Sequence, residues 1–205
     1  MKIIINGREE SIDFEGDTLG HAFAEIKKHP SSTEKIISQL RLNDKEISWD
    51  TKENLETPLS DTDTIEVEFS TLNEIILKNI NNAEHYLQKL IPGIEKAAEL
   101  FQTENEQDAN KYFLIIIDGI DWFSQVLDGV MKAAGLDPSS IELKGETLQN
   151  RKNHLIDLMG KMLDANQNKD WVLMADLLEY EIAPYYKEWT QLIPEFRDMI
   201  LNKIP

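Results

Sequence analysis

Hydrophobic periodicity becomes helical near residue 70 and stays so, and that change limits the fold more than any other feature. Before it, apolar residues recur at every second position over short runs; after it, they recur every three or four positions for most of the remaining length. A period of two puts one face of a strand against a core, and a period near 3.6 does the same for one stripe of a helix. A chain of 205 residues has room for two small domains. The expected fold class is therefore α+β, with a sheet domain over residues 1–69 followed by a helical bundle over residues 70–205.

In the first part, Ile3 and Ile5 precede Asn6-Gly7, a strong hairpin signal. Ile12 and Phe14 alternate with polar neighbours and predict a second strand with one buried face. Leu19, Ala22, Phe23 and Ile26 then fall at helical spacing behind the capping residues Asp17 and Thr18, and His29-Pro30 ends that helix. Leu40 and Leu42, the turn Asn43-Asp44-Lys45 and Ile47 predict another hairpin, and Ile65, Val67 and Phe69 a closing strand after Pro58-Leu59-Ser60-Asp61. This order of strand, strand, helix, strand, short strand, strand resembles the ubiquitin-like β-grasp superfamily over about a third of the chain. The resemblance implies a fold and no single activity. Modifiers and sulfur carriers of that superfamily end in a free Gly-Gly tail. Here the closing strand runs into Ser70-Thr71-Leu72 and a helix, so neither conjugation nor sulfur transfer is expected.

The second part predicts four long helices. Thr71 and Glu74 have capping-box spacing at the start of the first, and Pro92 inside it predicts a kink or a break. A polar loop covers 102–107, and a second helix runs from about 108 to 134, stopped by Gly135-Leu136-Asp137-Pro138. The third runs from 143 or 147 to 166. The fourth begins at Trp171 behind Asp170 and continues to about Lys203, interrupted or bent at Pro184 and Pro194. Short connectors make an antiparallel four-helix bundle with proline-kinked first and last helices the expected arrangement. Leu90-Ile91-Pro92 and Leu192-Ile193-Pro194 echo one another, which a duplicated helical hairpin or chance would equally explain.

Charge and composition exclude several classes of function. With 38 acidic against 21 basic residues the net charge is −17, which repels phosphate backbones and anionic bilayers. Neither nucleic acid nor membrane is an expected partner; the charge serves solubility or steers a basic partner. No cysteine is present, so disulfides, thiolate metal sites and cysteine nucleophiles are ruled out. The opening residues do not read as a signal peptide, and the most apolar run, 112–117, is far short of the roughly 20 residues that span a bilayer, so a cytoplasmic location is expected. The common nucleotide-binding and hydrolase fingerprints are absent, and no cofactor is expected. Asp118, Asp121, Gln125 and Asp128 lie along one helical stripe, read either as a solvated face or as half of a metal or acid–base site. No histidine stands three residues after a glutamate, the spacing used by di-iron bundles.

The most distinctive stretch is 170–189, which resembles a segment of uncharacterised bacterial helical-bundle proteins; that likeness brings no activity with it. It holds two tryptophans and three tyrosines, more aromatic surface than one core stripe requires. Trp and Tyr are common interface anchors. Trp171, Tyr180, Tyr185, Tyr186 and Trp189 are accordingly the candidate partner-binding residues, and a broad face buried within the chain is the competing reading. The expected function is a non-enzymatic protein-binding module, a cytoplasmic adaptor or chaperone-like protein taking a basic or amphipathic segment of a partner, as four-helix export chaperones do. The alternatives are a homodimer that buries the aromatic face against itself, and a metal-dependent enzyme using Asp118, Asp121, His154 and Asp157.

Overall fold

A computed structural model describes residues 1–103 and 106–203. They form an α+β chain of two compact units, Met1–Ile75 and Ile76–Pro205. The first unit contains β1 (Lys2–Ile5), β2 (Arg8–Glu10), α1 (Leu19–Ile26), β3 (Ile36–Leu42), β4 (Lys45–Glu46), the single turn α2 (Lys52–Leu55) and β5 (Thr64–Ser70). Its five strands make one mixed sheet in the order β2-β1-β5-β3-β4, with β1 parallel to β5 and the other pairs antiparallel.

Two-residue turns explain the hairpins. Asn6 and Gly7 have φ of 49° and 77°, and Asn43 and Asp44 have 51° and 64°, the left-handed pair that matches strand twist. The first turn pairs Ile5 with Arg8 and Ile3 with Glu10, which uses up β1. The second strand is therefore Arg8–Glu10, not the stretch around Ile12 and Phe14 that alternation predicted. Those two side chains instead reach the core from irregular backbone. Ile3, Ile5, Ile65 and Val67 on the sheet close over Leu19, Ala22 and Ile26 of α1, all buried.

The second unit is helical. It takes in α3 (Leu72–Gln102) from Ile76 on, α4 (Glu106–Ala133), a small hairpin of β6 (Glu142–Leu143) and β7 (Glu146–Thr147), α5 (Leu148–Gln167), α6 (Trp171–Leu177), one wide π turn (Leu178–Ile182) and α7 (Ala183–Lys203). Helix α3 starts on a capping box: the Thr71 N–H donates to Glu74 Oε2 at 2.7 Å and the Glu74 N–H to Thr71 Oγ1 at 3.2 Å. Helix α4 stops at Gly135, where left-handed φ lets the Leu136 N–H reach the Met131 carbonyl and the Gly135 N–H the Lys132 carbonyl. Helices α3 and α7 continue through Pro92 and Pro194, so neither proline breaks its helix. Of the polar loop expected over 102–107, Gln102 ends α3 and Glu106 opens α4, while 104 and 105 lie outside the described residues. Helical periodicity gave no sign of the β6–β7 hairpin. Its turn, Lys144-Gly145, again has two positive φ values, 49° and 82°.

The π turn sets which aromatic side chains face inward. Pro184 has no N–H for the carbonyl four residues back, and the Ala183 N–H donates to Leu178, five residues back. One extra residue per turn shifts the helical phase. Before the turn the buried positions are Met174, Ala175 and Leu177, within it Leu178 and Ile182, and after it they include Tyr186, Trp189, Ile193, Phe196 and Ile200. These join buried residues of α3, α4 and α5 in one hydrophobic core.

Candidate functional site

The five aromatic candidates divide by burial. Trp189 is 1% exposed, with its ring edge-on to Phe123 at 5.5 Å and to Phe196 at 6.3 Å. Tyr186 is fully buried, and its ring meets Phe123 at 5.5 Å. Both belong to the core of the chain and not to its surface. Burial holds the Tyr186 phenol well above the usual tyrosine range. The other three remain within reach of solvent. Trp171 is partly buried and stacks on Phe101 at 5.4 Å, Tyr185 is partly buried, and Tyr180 is 64% exposed.

Two clefts use these residues, and one helical run lines both. The first, about 630 Å³, has Phe101, Trp171 and Ala175 as apolar lining beside Val172. Glu106, Asp170 and Asp176 contribute carboxylates and Lys169 the one cation among its described lining residues. Asp170 is fixed there as the cap of α6, accepting the Leu173 N–H at 3.0 Å. The second cleft, about 390 Å³, is lined by Glu146, Arg151, His154, Tyr180, Glu181, Pro184, Tyr185 and Glu188. Its guanidinium is only 5% exposed. It donates to both Glu188 oxygens at 2.9 and 3.3 Å and to the Leu143 carbonyl at 3.2 Å, and pairs with Glu146 at 3.4 Å. Arg151 thus ties α5 to α7 and to the β6–β7 hairpin, with two carboxylates for one buried charge. Tyr185 donates to the Arg151 carbonyl at 3.3 Å, and its phenol too is raised by burial.

Between the clefts the outer side of this run carries Val172, Asp176, Tyr180 and Pro184 at intervals of four, all exposed. Val172 is 74% exposed and Leu173, beside it, is also exposed. Helix α3 reaches this side as well, where Gln102 donates to Glu179 at 2.6 Å. The neighbouring Glu179 carboxylate, by hydrogen bonding and by its negative charge, raises the Tyr180 phenol above its ordinary range.

A family model described as a domain of unknown function, DUF8042, matches residues 78–192, more than half of the chain. The chain belongs to the DUF8042 family. Residues 1–71 match a second model, the TP0873 N-terminal domain. No curated protein and no solved structure matches the chain. Every residue that lines either cleft falls inside the DUF8042 stretch.

Within that DUF8042 stretch the four residues considered for a metal site do not gather. His154 lines the second cleft, whereas Asp118, Asp121 and Asp157 are exposed and line neither. Asp121 accepts from Gln125 at 2.6 Å, and Asp128 pairs with Lys152 at 2.6 Å. Among the described residues no three His, Asp or Glu side chains are placed to hold a metal ion. No described helix is long and apolar enough to cross a membrane. Arg151 escaped the sequence reading because nothing in its spacing distinguishes a buried arginine from an exposed one. The Glu146 and Glu188 carboxylates that hold it come from separate elements.

Proposed function

We propose that this chain is a non-enzymatic protein-binding module, a cytoplasmic adaptor or chaperone-like protein, whose partner docks on the outer side of the Trp171–Glu188 run. The single observation that carries this reading is the exposed row Val172, Leu173 and Tyr180 on a helix whose inner side is core. Exposed large apolar side chains are ordinary singly; in a row flanked by two clefts they favour a docking face. In the same reading the first unit is a ubiquitin-like β-grasp, supported by its sheet order and the parallel β1–β5 pair. The second is an antiparallel four-helix bundle, supported by four long helical segments that feed one core.

Affinity capture with the full chain tests the docking face. Wild type and a Val172→Asp, Tyr180→Ala variant are compared in lysate of the native cell. Both positions are solvent-facing, so the variant keeps the wild-type thermal unfolding curve. The reading expects a discrete protein retained by wild type and lost, by at least about tenfold, with the variant. Equal recovery removes the run as the docking face. A homodimer is the second reading, favoured by exposed Leu114 and Ile115 on α4. Light scattering that gives a monomer at high concentration eliminates it.

A further inference from the structure

We infer that the groove at Trp171 receives an amphipathic helix carrying lysine or arginine beside its apolar stripe, an inference that rests on reading the Trp171–Glu188 run as the docking face. Charge complementarity selects the sign of the occupant. The groove sets Glu106, Asp170 and Asp176 around Phe101, Trp171, Val172 and Ala175, with Lys169 as the opposing charge among its described lining. The chain as a whole carries −17, so an acidic or neutral segment gains nothing on approach and a basic one is steered in. The second cleft continues the same field. Its buried guanidinium is already matched by Glu188 and Glu146, and Glu181 has no ion-pair partner among the described residues.

The form of the occupant follows from the backbone. An extended segment gains backbone partners by pairing with a strand edge, and the Trp171–Glu188 run is helical and offers none. A helix satisfies its own. Val172, Asp176, Tyr180 and Pro184, spaced by four, form a ridge about 18 Å long against which the ridges of a second helix can pack. At about 630 Å³ the groove is large enough to take several apolar anchors of that helix.

Three labelled synthetic peptides test this by fluorescence anisotropy with the full chain. The first has leucine at helical spacing and lysine elsewhere, the second glutamate in place of each lysine, and the third serine in place of each leucine. The leucine–lysine peptide is expected to bind saturably, at least about tenfold more tightly than either control, and to weaken as salt is raised. Val172→Asp and, separately, Asp176→Lys should each weaken it by about tenfold or more. Binding of the leucine–glutamate peptide with equal affinity overturns the inference. So does equal binding of the lysine–serine peptide, which would show attraction by net charge alone, or unchanged affinity in both variants. If affinity capture depends on Val172 and Tyr180 while the peptides show no preference for the basic amphipath, the docking face stands and this occupant falls. If neither experiment depends on those residues, both fall.

Discussion

Tyr186 and Trp189 are buried beside one another on α7, and each keeps a polar atom without a hydrogen-bond partner among the described residues. Ser124 is the polar group whose influence opposes the rise in the Tyr186 phenol, yet its own hydroxyl donates to the Ile120 carbonyl at 2.9 Å. A buried hydroxyl left unsatisfied costs about 1–3 kcal/mol, so removing it at constant ring shape is not destabilising. Tyr186→Phe should therefore leave stability unchanged or raised at neutral pH. Its effect grows in alkali. A phenol whose folded pKa lies above its ordinary value near 10.0 contributes stability that is fully present below that value. That contribution is lost as pH rises through the folded pKa. Wild type should lose stability above about pH 10 more steeply than Tyr186→Phe, read from chemical denaturation across pH. Parallel pH profiles would contradict the assignment. Trp189→Ala, by contrast, empties a core site at a cost of about 3–5 kcal/mol, so it reports on folding and not on partner contact.

The capping box at the start of α3 shows how much of an element local sequence dictates. Thr71 and Glu74 make the two reciprocal hydrogen bonds their spacing predicted. The Thr71 N–H on Oε2 and, next, the Thr71 hydroxyl hold the Glu74 carboxyl below the usual range, with Lys35 adding a smaller charge effect. A depressed carboxylate contributes stability above its ordinary value near 4.5 and loses it as pH falls through the folded value. The difference in stability between wild type and Glu74→Gln should therefore be full at neutral pH and shrink in acid, and a constant difference across pH would contradict it. Asp170 and Gly135 were equally readable, because caps and stops depend on a few adjacent residues. The place of β2 was not, because it depends on where the Asn6-Gly7 turn sets the register and not on which residues alternate. The phase of α7 was hidden for a related reason. A straight helix puts Trp171, Tyr185 and Trp189 on one stripe; the single π turn ahead of Pro184 shifts the phase of α7 as a whole against Trp171 on α6, and within α7 Trp189 is core while Tyr185 stays at a cleft.

The change in hydrophobic period near residue 70 follows from local sequence and falls close to the division between the two compact units after Ile75. The clefts do not, because each draws on elements far apart in sequence. The first joins α3 and α4 to α6, and the second joins α5 and the β6–β7 hairpin to the π turn and α7. What composition did foretell was an acidic chain with excess aromatic surface in its last helix, and the fold divides that surface between a core and a rim. The most direct test of the docking face is photo-crosslinking in the native cell, with a benzophenone amino acid placed singly at Val172, Tyr180 and, as a control on the sheet of the first unit, Gln39. One discrete crosslinked protein is expected from both Val172 and Tyr180 and none from Gln39; no crosslink at the two helical positions, or an identical product from all three, would contradict a docking face on this run.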